Sequence, residues 1–188
     1  MSIFFKKIQR NRSYYKNRIE EILKEFPIAH ERVLDLGCGE MLLREFLIDQ
    51  SCHYTGVDQL PFENKENFVC SDILDFELKQ GQFDIIFLLG VIDHMPIREK
   101  EIVMERIQEN FTKALVISQF NPSNFVFRFL FPDKKEVDLE QWFKEHHILK
   151  IALFKFPFFQ RVFRLSPELS FTKFIATEYI YLIRKETK

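Results

Sequence analysis

Arg32-Val33-Leu34-Asp35-Leu36-Gly37-Cys38-Gly39 decides the fold. Five residues, mostly apolar and without alternation, fit a strand buried on both faces, and two glycines one residue apart fit the tight turn that ends it. Outward from this turn the pattern repeats. His53 to Val57 reads as a second strand ending at Asp58, and Asn67 to Ser71 as a third ending at Asp72. Phe83 to Leu89 is a fourth, and Ala114 to Ser118 a fifth. Helical spacing lies between: Met41 to Ile48 carries Leu42, Leu43, Phe46 and Leu47 on one side. Pro96 suits the first position of another helix, whose apolar stripe is Val103, Met104, Ile107 and Phe111. Upstream, Ser13 to Phe26 has Tyr15, Ile19, Ile22, Leu23 and Phe26 at three- and four-residue intervals, and Pro27 stops it. Downstream, Asp138 to His146 predicts a short helix with Trp142, and Ile148 to Phe156 and Thr177 to Arg184 predict two late strands. Strands alternating with helices define a doubly wound, mostly parallel α/β sheet. Nine residues separate Asp58 from Phe68, fewer than a parallel crossover usually takes, so a reduced helix or extended loop is expected around Pro61 to Glu66.

The chain has 188 residues, one domain by the usual size relation, with no linker-like stretch and no repeat. The expected division is a helical segment over 1–30, the sheet, and a Phe-rich cover over 119–176. A net charge of −1 gives no global pull toward nucleic acid or membrane. The basic charge is local: Lys6, Lys7, Arg10, Arg12, Lys16 and Arg18 precede the first acid, Glu20, and a solvated helix face is the expectation. Cys38, Cys52 and Cys70 make neither a CxxC pair nor an even disulfide framework, which fits a reducing, cytoplasmic setting. No apolar run reaches the roughly 18 residues of a membrane span.

Asp35, Asp58 and Asp72 end or closely follow the first three strands, at the edge where open α/β sheets bind ligands. Gly37 and Gly39 let backbone approach such a ligand, and Asp58, nineteen residues after Gly39, is placed to accept from ribose hydroxyls. An adenosine-type ligand follows. The third glycine of a dinucleotide fingerprint is replaced by Leu42, and Glu40-Met41 excludes a P-loop. The ligand therefore lacks phosphate.

In these features the chain resembles the class I S-adenosylmethionine (SAM)-dependent methyltransferases. The matching pieces are Val33 to Gly39, Tyr54-Thr55-Gly56-Val57-Asp58, Ser71-Asp72-Ile73, and Phe83-Asp84-Ile85-Ile86 through Asp93-His94, in register over roughly residues 30 to 118. The resemblance implies a three-layer Rossmann-like sheet of seven strands, mostly parallel with an antiparallel last strand. It implies SAM as cofactor and S-adenosylhomocysteine as product. Asp35 would hold the glycine turn and the methionine ammonium, with Gly37, Cys38 and Gly39 passing the amino-acid part. Asp58 would accept the ribose hydroxyls, with Gln59 beside the adenine. Asp72 would accept from the adenine amino group and Ile73 would offer its N–H. Leu89 and Gly90 would pass the sulfonium. Met41 departs from the pattern, occupying a position where many members have a third small residue; an adaptable Met side chain can pack there, or it narrows the turn.

Asp93 and His94 sit where a base could act on a hydroxyl or amine acceptor, or where they could cap the following helix. Gly90-Val91-Ile92-Asp93 is not the signature of the nucleic-acid adenine or protein-glutamine enzymes, and no cysteine follows a proline as the cytosine-5 enzymes require. No metal cluster is visible. A small-molecule acceptor remains. Thirteen of the 23 Phe lie between Phe120 and Phe174. Alternating Phe125, Phe127, Phe129 and Phe131 suit an apolar wall, and Phe154 to Phe163 with Lys155, Arg161 and Arg164 suit either a core or a peripheral membrane contact. An apolar or lipid-like acceptor is the leading expectation. The rivals are a SAM-binding regulatory or partner protein without catalysis, and an RNA methyltransferase using the basic N-terminus.

Overall fold

The computed structural model describes residues 12–61, 66–121, 123–124, 129, 137–154 and 176–185. The order is α1 (Arg12–Glu25), β1 (Arg32–Leu36), α2 (Leu42–Leu47) with a 3-10 turn at Ile48–Gln50, β2 (His53–Asp58), β3 (Phe68–Cys70) and β4 (Phe83–Leu88). A second 3-10 turn, Ile92–His94, leads to α3 (Ile97–Asn110), β5 (Phe111–Phe120), α4 (Leu139–Trp142), β6 (His147–Leu153) and β7 (Glu178–Arg184). The seven strands form one sheet in the order β3-β2-β1-β4-β5-β7-β6. β1 to β5 are parallel, while β7 runs antiparallel to both β5 and β6. This is the Rossmann-like sheet with the antiparallel last strand that the resemblance implied.

Strand alternation splits the core into two layers. Leu34, Leu36, Ile86, Leu88, Leu115 and Ile117 face α3, meeting Val103, Met104 and Ile107. Val33, Ile85, Phe87 and Val116 face the other way, against Ile19 and Ile22 of α1 and Leu43 and Leu47 of α2. Fully burying the three α3 residues contributes roughly 5–9 kcal/mol, an upper figure because the unfolded chain already hides some apolar surface. Pro96 stands one residue before α3, at its N-cap, with its carbonyl taking the first helical bond from Lys100 N at 3.1 Å. β5 is longer than the five residues read from sequence because seven consecutive positions, Ala114 to Phe120, pair with β7.

The short β2–β3 crossover contains no helix among its described residues, 59–61 and 66–67. Most of the expected reduced helix around Pro61 to Glu66 lies outside the described residues. So do Phe125, Phe127, Phe131, Lys155, Arg161 and Arg164 of the Phe-rich cover. Its four described phenylalanines differ: Phe120, Phe143 and Phe154 are buried, whereas Phe129 is 85% exposed.

Of its two alternatives, Met41 takes the first: its side chain packs. Its backbone is left-handed (φ 59°, ψ 37°), and its side chain is buried in the α1–α2 layer instead of standing in the turn. The left-handed conformation costs an L-residue about 1–2 kcal/mol. Truncating a buried Met typically costs about 2–5 kcal/mol, so packing outweighs strain. Met41→Gly is therefore expected to lose about 1–3 kcal/mol in urea unfolding, and a gain in stability would show that strain dominates.

Candidate functional site

The glycine turn is built from the β1–β2 register. Gly37 N and Cys38 N both donate to Val57 O, at 2.7 and 3.1 Å, which folds the chain after β1 back across the end of β2. Gly37 has φ +74°, and a Cβ there would stand 2.4 Å from Val91 Cγ2, so only glycine lets this turn close against the loop after β4. Asp58 then ties the turn to its own loop: Oδ2 accepts from Gly39 N and Oδ1 from Leu60 N, each at 2.9 Å.

A cavity of about 790 Å³ opens at this edge. Its lining includes Asp35, Gly37, Cys38, Gly39, Asp58, Gln59, Asp72, Ile73, Leu89 and Gly90, all ten residues read from sequence as cofactor contacts. Met41 is not among the lining residues, so the turn is not obstructed. Asp72 Oδ1 accepts from Leu74 N at 2.9 Å, fixing the loop that carries Ile73. Asp35 is 5% exposed and accepts from the Tyr54 hydroxyl at 2.8 Å. Burial raises its pKa to about 7; the Tyr54 hydrogen bond opposes the rise, and the charge of Asp58 adds to it.

The two candidate bases separate. His94 is exposed and lines the cavity. Asp93 is 1% exposed, does not line the cavity, and turns its carboxylate to Phe120 N, 3.1 Å from either oxygen. Asp93 therefore anchors the His94 turn to the end of β5.

Sequence reading missed the contribution of α1. Arg12, Tyr15 and Ile19 line the cavity. Arg18, expected on a solvated basic face, is 2% exposed and pairs with Glu178 of β7 (Nη2 to Oε2, 3.0 Å), which also accepts from the Tyr14 hydroxyl at 2.5 Å. Burial alone would lower the Arg18 pKa, but the combined effect of Glu178, Tyr14 and Tyr15 raises it, so the guanidinium stays charged. Its Nη1 lies 3.2 Å from where a Cβ on Gly90 would stand. Nε and Nη1 are buried with no hydrogen-bond partner among the described residues.

Three aspartates with Glu40 and Glu99 make the cavity acidic, with Arg12 and the adjoining Arg18 as cations. Such a field repels phosphates and favours a nucleoside carrying ammonium and sulfonium charges with one carboxylate. The residues present fit SAM.

A family model described as a methyltransferase domain matches residues 8–162. An uncharacterized protein of Methanocaldococcus jannaschii is 26% identical over 164 residues, covering 84% of this chain and 72% of that one. A ubiquinone biosynthesis O-methyltransferase of Xylella fastidiosa is 33% identical over 92 residues, covering 42% of this chain and only 37% of that enzyme. Among solved structures, a SAM-dependent methyltransferase from Archaeoglobus fulgidus superposes with a TM-score of 0.75 at 19% identity, covering 97% of this chain and 98% of that one. The chain belongs to the methyltransferase domain family, with the class I fold whose cofactor is SAM.

Proposed function

We propose that the protein transfers a methyl group from SAM to a small, apolar or lipid-like acceptor bearing a hydroxyl or amine. The observation that carries this reading is the acidic, glycine-edged cavity with one imidazole, His94, at its wall. Asp58 accepts the ribose hydroxyls beside Gln59, while Asp72 and the Ile73 N–H read the adenine edge. Asp35 holds the ammonium. Leu89 and Gly90 pass the sulfonium. Arg18, which adjoins the cavity behind Gly90, offers its unpartnered Nε and Nη1 to the methionine carboxylate, which removes the cost, about 1–3 kcal/mol or more for a charged group, of leaving buried donors unmade.

SAM supplies an electrophilic methyl whose bond to sulfur breaks as a bond to the acceptor heteroatom forms. The chain's own task is alignment and proton removal. Holding the nucleophile in line is worth on the order of 7 kcal/mol. His94 takes the proton the acceptor releases, and Asp93 keeps the His94 turn against β5. Val91, Met95, Leu89 and Ile73 give the cavity an apolar wall. The ubiquinone relative supports an apolar acceptor only over the 92 residues it shares. No helix of the described residues is long and apolar enough to cross a membrane. Cys38, Cys52 and Cys70 form no disulfide among the described residues, and a reducing, cytoplasmic setting fits them.

The test is incubation with methyl-labelled SAM and cell extract fractionated into lipid, RNA and small polar molecules. Label in the lipid fraction is expected. Label in RNA would overturn the acceptor class, and label in no fraction would overturn catalysis in favour of a SAM-binding regulatory protein. His94→Ala is expected to cut turnover by about 10²–10⁴-fold with S-adenosylhomocysteine affinity retained; full turnover would remove it as the base. Asp58→Ala is expected to weaken S-adenosylhomocysteine by roughly 1.5–3 kcal/mol, the worth of hydrogen bonds to a charged group, as read by calorimetry.

A further inference from the structure

The chain between β3 and β4 forms no helix; it holds two turns tied to themselves, one at 79–82, where Gln82 N donates to Lys79 O at 3.1 Å, and one at 72–76. Asp75 N and Phe76 N donate to Asp72 O at 3.1 and 2.9 Å, and Leu74 N donates to the Asp72 side chain. A single turn is marginal on its own, because one or two hydrogen bonds do not offset the dihedrals they fix. Yet this turn carries Asp72 and Ile73, which line the cavity. Its outward carbonyls meet one side chain. Arg106 Nη1 donates to Ile73 O at 3.1 Å and to Leu74 O at 2.7 Å, and Nη2 donates to Phe76 O. Arg106 stands on α3, which is held in the core by Val103, Met104 and Ile107.

A planar fork gripping three carbonyls of one turn fixes its position and its rotation together. Lysine, a point charge on a flexible stem, would hold the position less firmly and the rotation hardly at all. We propose that Arg106 is a positioning residue for base recognition: by locking the 72–76 turn to α3 it sets where the Asp72 carboxylate and the Ile73 N–H stand, and so how strongly the site prefers adenine. This rests on the reading of Asp72 and Ile73 as adenine contacts. Arg106 acts from outside the cavity and touches neither cofactor nor acceptor.

The experiment compares S-adenosylhomocysteine with S-inosylhomocysteine, in which a 6-oxo group replaces the amino donor and N1 carries a hydrogen. Each is titrated calorimetrically into the wild-type protein, Arg106→Lys and Arg106→Met, with the melting temperature of each recorded. Wild-type protein is expected to prefer the adenine ligand by about tenfold or more, since the inosine edge leaves buried polar groups unpaired. In Arg106→Met the preference is expected to fall to about threefold or less, with Arg106→Lys in between, while the maximal methylation rate at saturating SAM is retained. Should Arg106→Met not fold, the Lys variant carries the comparison. A purely structural role would lower the melting temperature and weaken both ligands by one factor, leaving their ratio unchanged; that result overturns the proposal. Equal affinities in the wild type would instead overturn the adenine reading on which it rests.

Discussion

Gly37→Ala is expected to lose S-adenosylhomocysteine binding altogether and to melt roughly 5–20 °C below the wild type. Two costs add. At φ +74° an alanine is strained by about 1–2 kcal/mol. Its Cβ would also stand 2.4 Å from Val91 Cγ2, and overpacking of that kind costs about 1–3 kcal/mol. The turn cannot slide away, because Gly37 N is held to Val57 O at 2.7 Å and Cys38 N to the same carbonyl. Val91 cannot retreat freely either, since it begins the turn whose Asp93 is fixed to β5. Gly39→Ala is the control. Gly39 also has positive φ, +50°, but nothing lies within 4 Å of its missing Cβ, so the melting temperature of that variant without ligand is expected to show only the strain. Wild-type melting and affinity in Gly37→Ala would mean that the turn does not close on Val91.

Cofactor affinity is expected to fall by about tenfold per pH unit below pH 7, through Asp35. Its pKa is about 7 in the folded chain against an ordinary 3.8, so the folded state binds the proton more tightly than the unfolded one. The sign follows: the contribution of Asp35 to stability is fully present below pH about 4 and is lost as pH rises through about 7. The ligand-free protein is thus least favoured where the carboxylate is ionised beside Asp58. An ammonium brought against it favours the ionised form, so binding below pH 7 must release a proton. Calorimetry at pH 6 in two buffers of different ionisation enthalpy should show that proton as a difference in observed heat. Asp35→Asn should abolish the difference, weaken binding at pH 8, and raise the melting temperature of the ligand-free protein at pH 8. Buffer-independent heats in the wild type would exclude Asp35 as the ammonium's partner.

What could be read from the chain alone was what repeats locally. Mostly apolar runs placed β1 and β4 nearly to the residue, because strands buried on both faces carry little polar alternation to confuse their ends. The strand-end aspartates and the glycine turn were legible because each sits at a fixed offset from its own strand. Contacts between distant segments were not. Arg18 sits on a helix whose basic residues suggest solvent, and its burial depends on Glu178 arriving from β7 at the far end of the chain. Asp93 lies next to His94 in the chain, but its tie to the Phe120 N–H of β5 joins segments 27 residues apart. The Tyr54 hydroxyl reaches Asp35 only because the parallel register sets β2 beside β1. Met41 could be read as packed or as narrowing the turn, because its left-handed backbone, beside a side chain buried in the core, has no signature in composition.

Titration calorimetry of the purified protein with S-adenosylhomocysteine and, separately, with NAD tests the nature of the cavity most directly. Saturable one-site heat with S-adenosylhomocysteine is expected, with about 2.7 kcal/mol of stabilisation at a hundred times its Kd and no response to NAD. Absence of heat with S-adenosylhomocysteine, or tighter binding of NAD, would contradict an acidic site shaped for a nucleoside with an amino-acid tail.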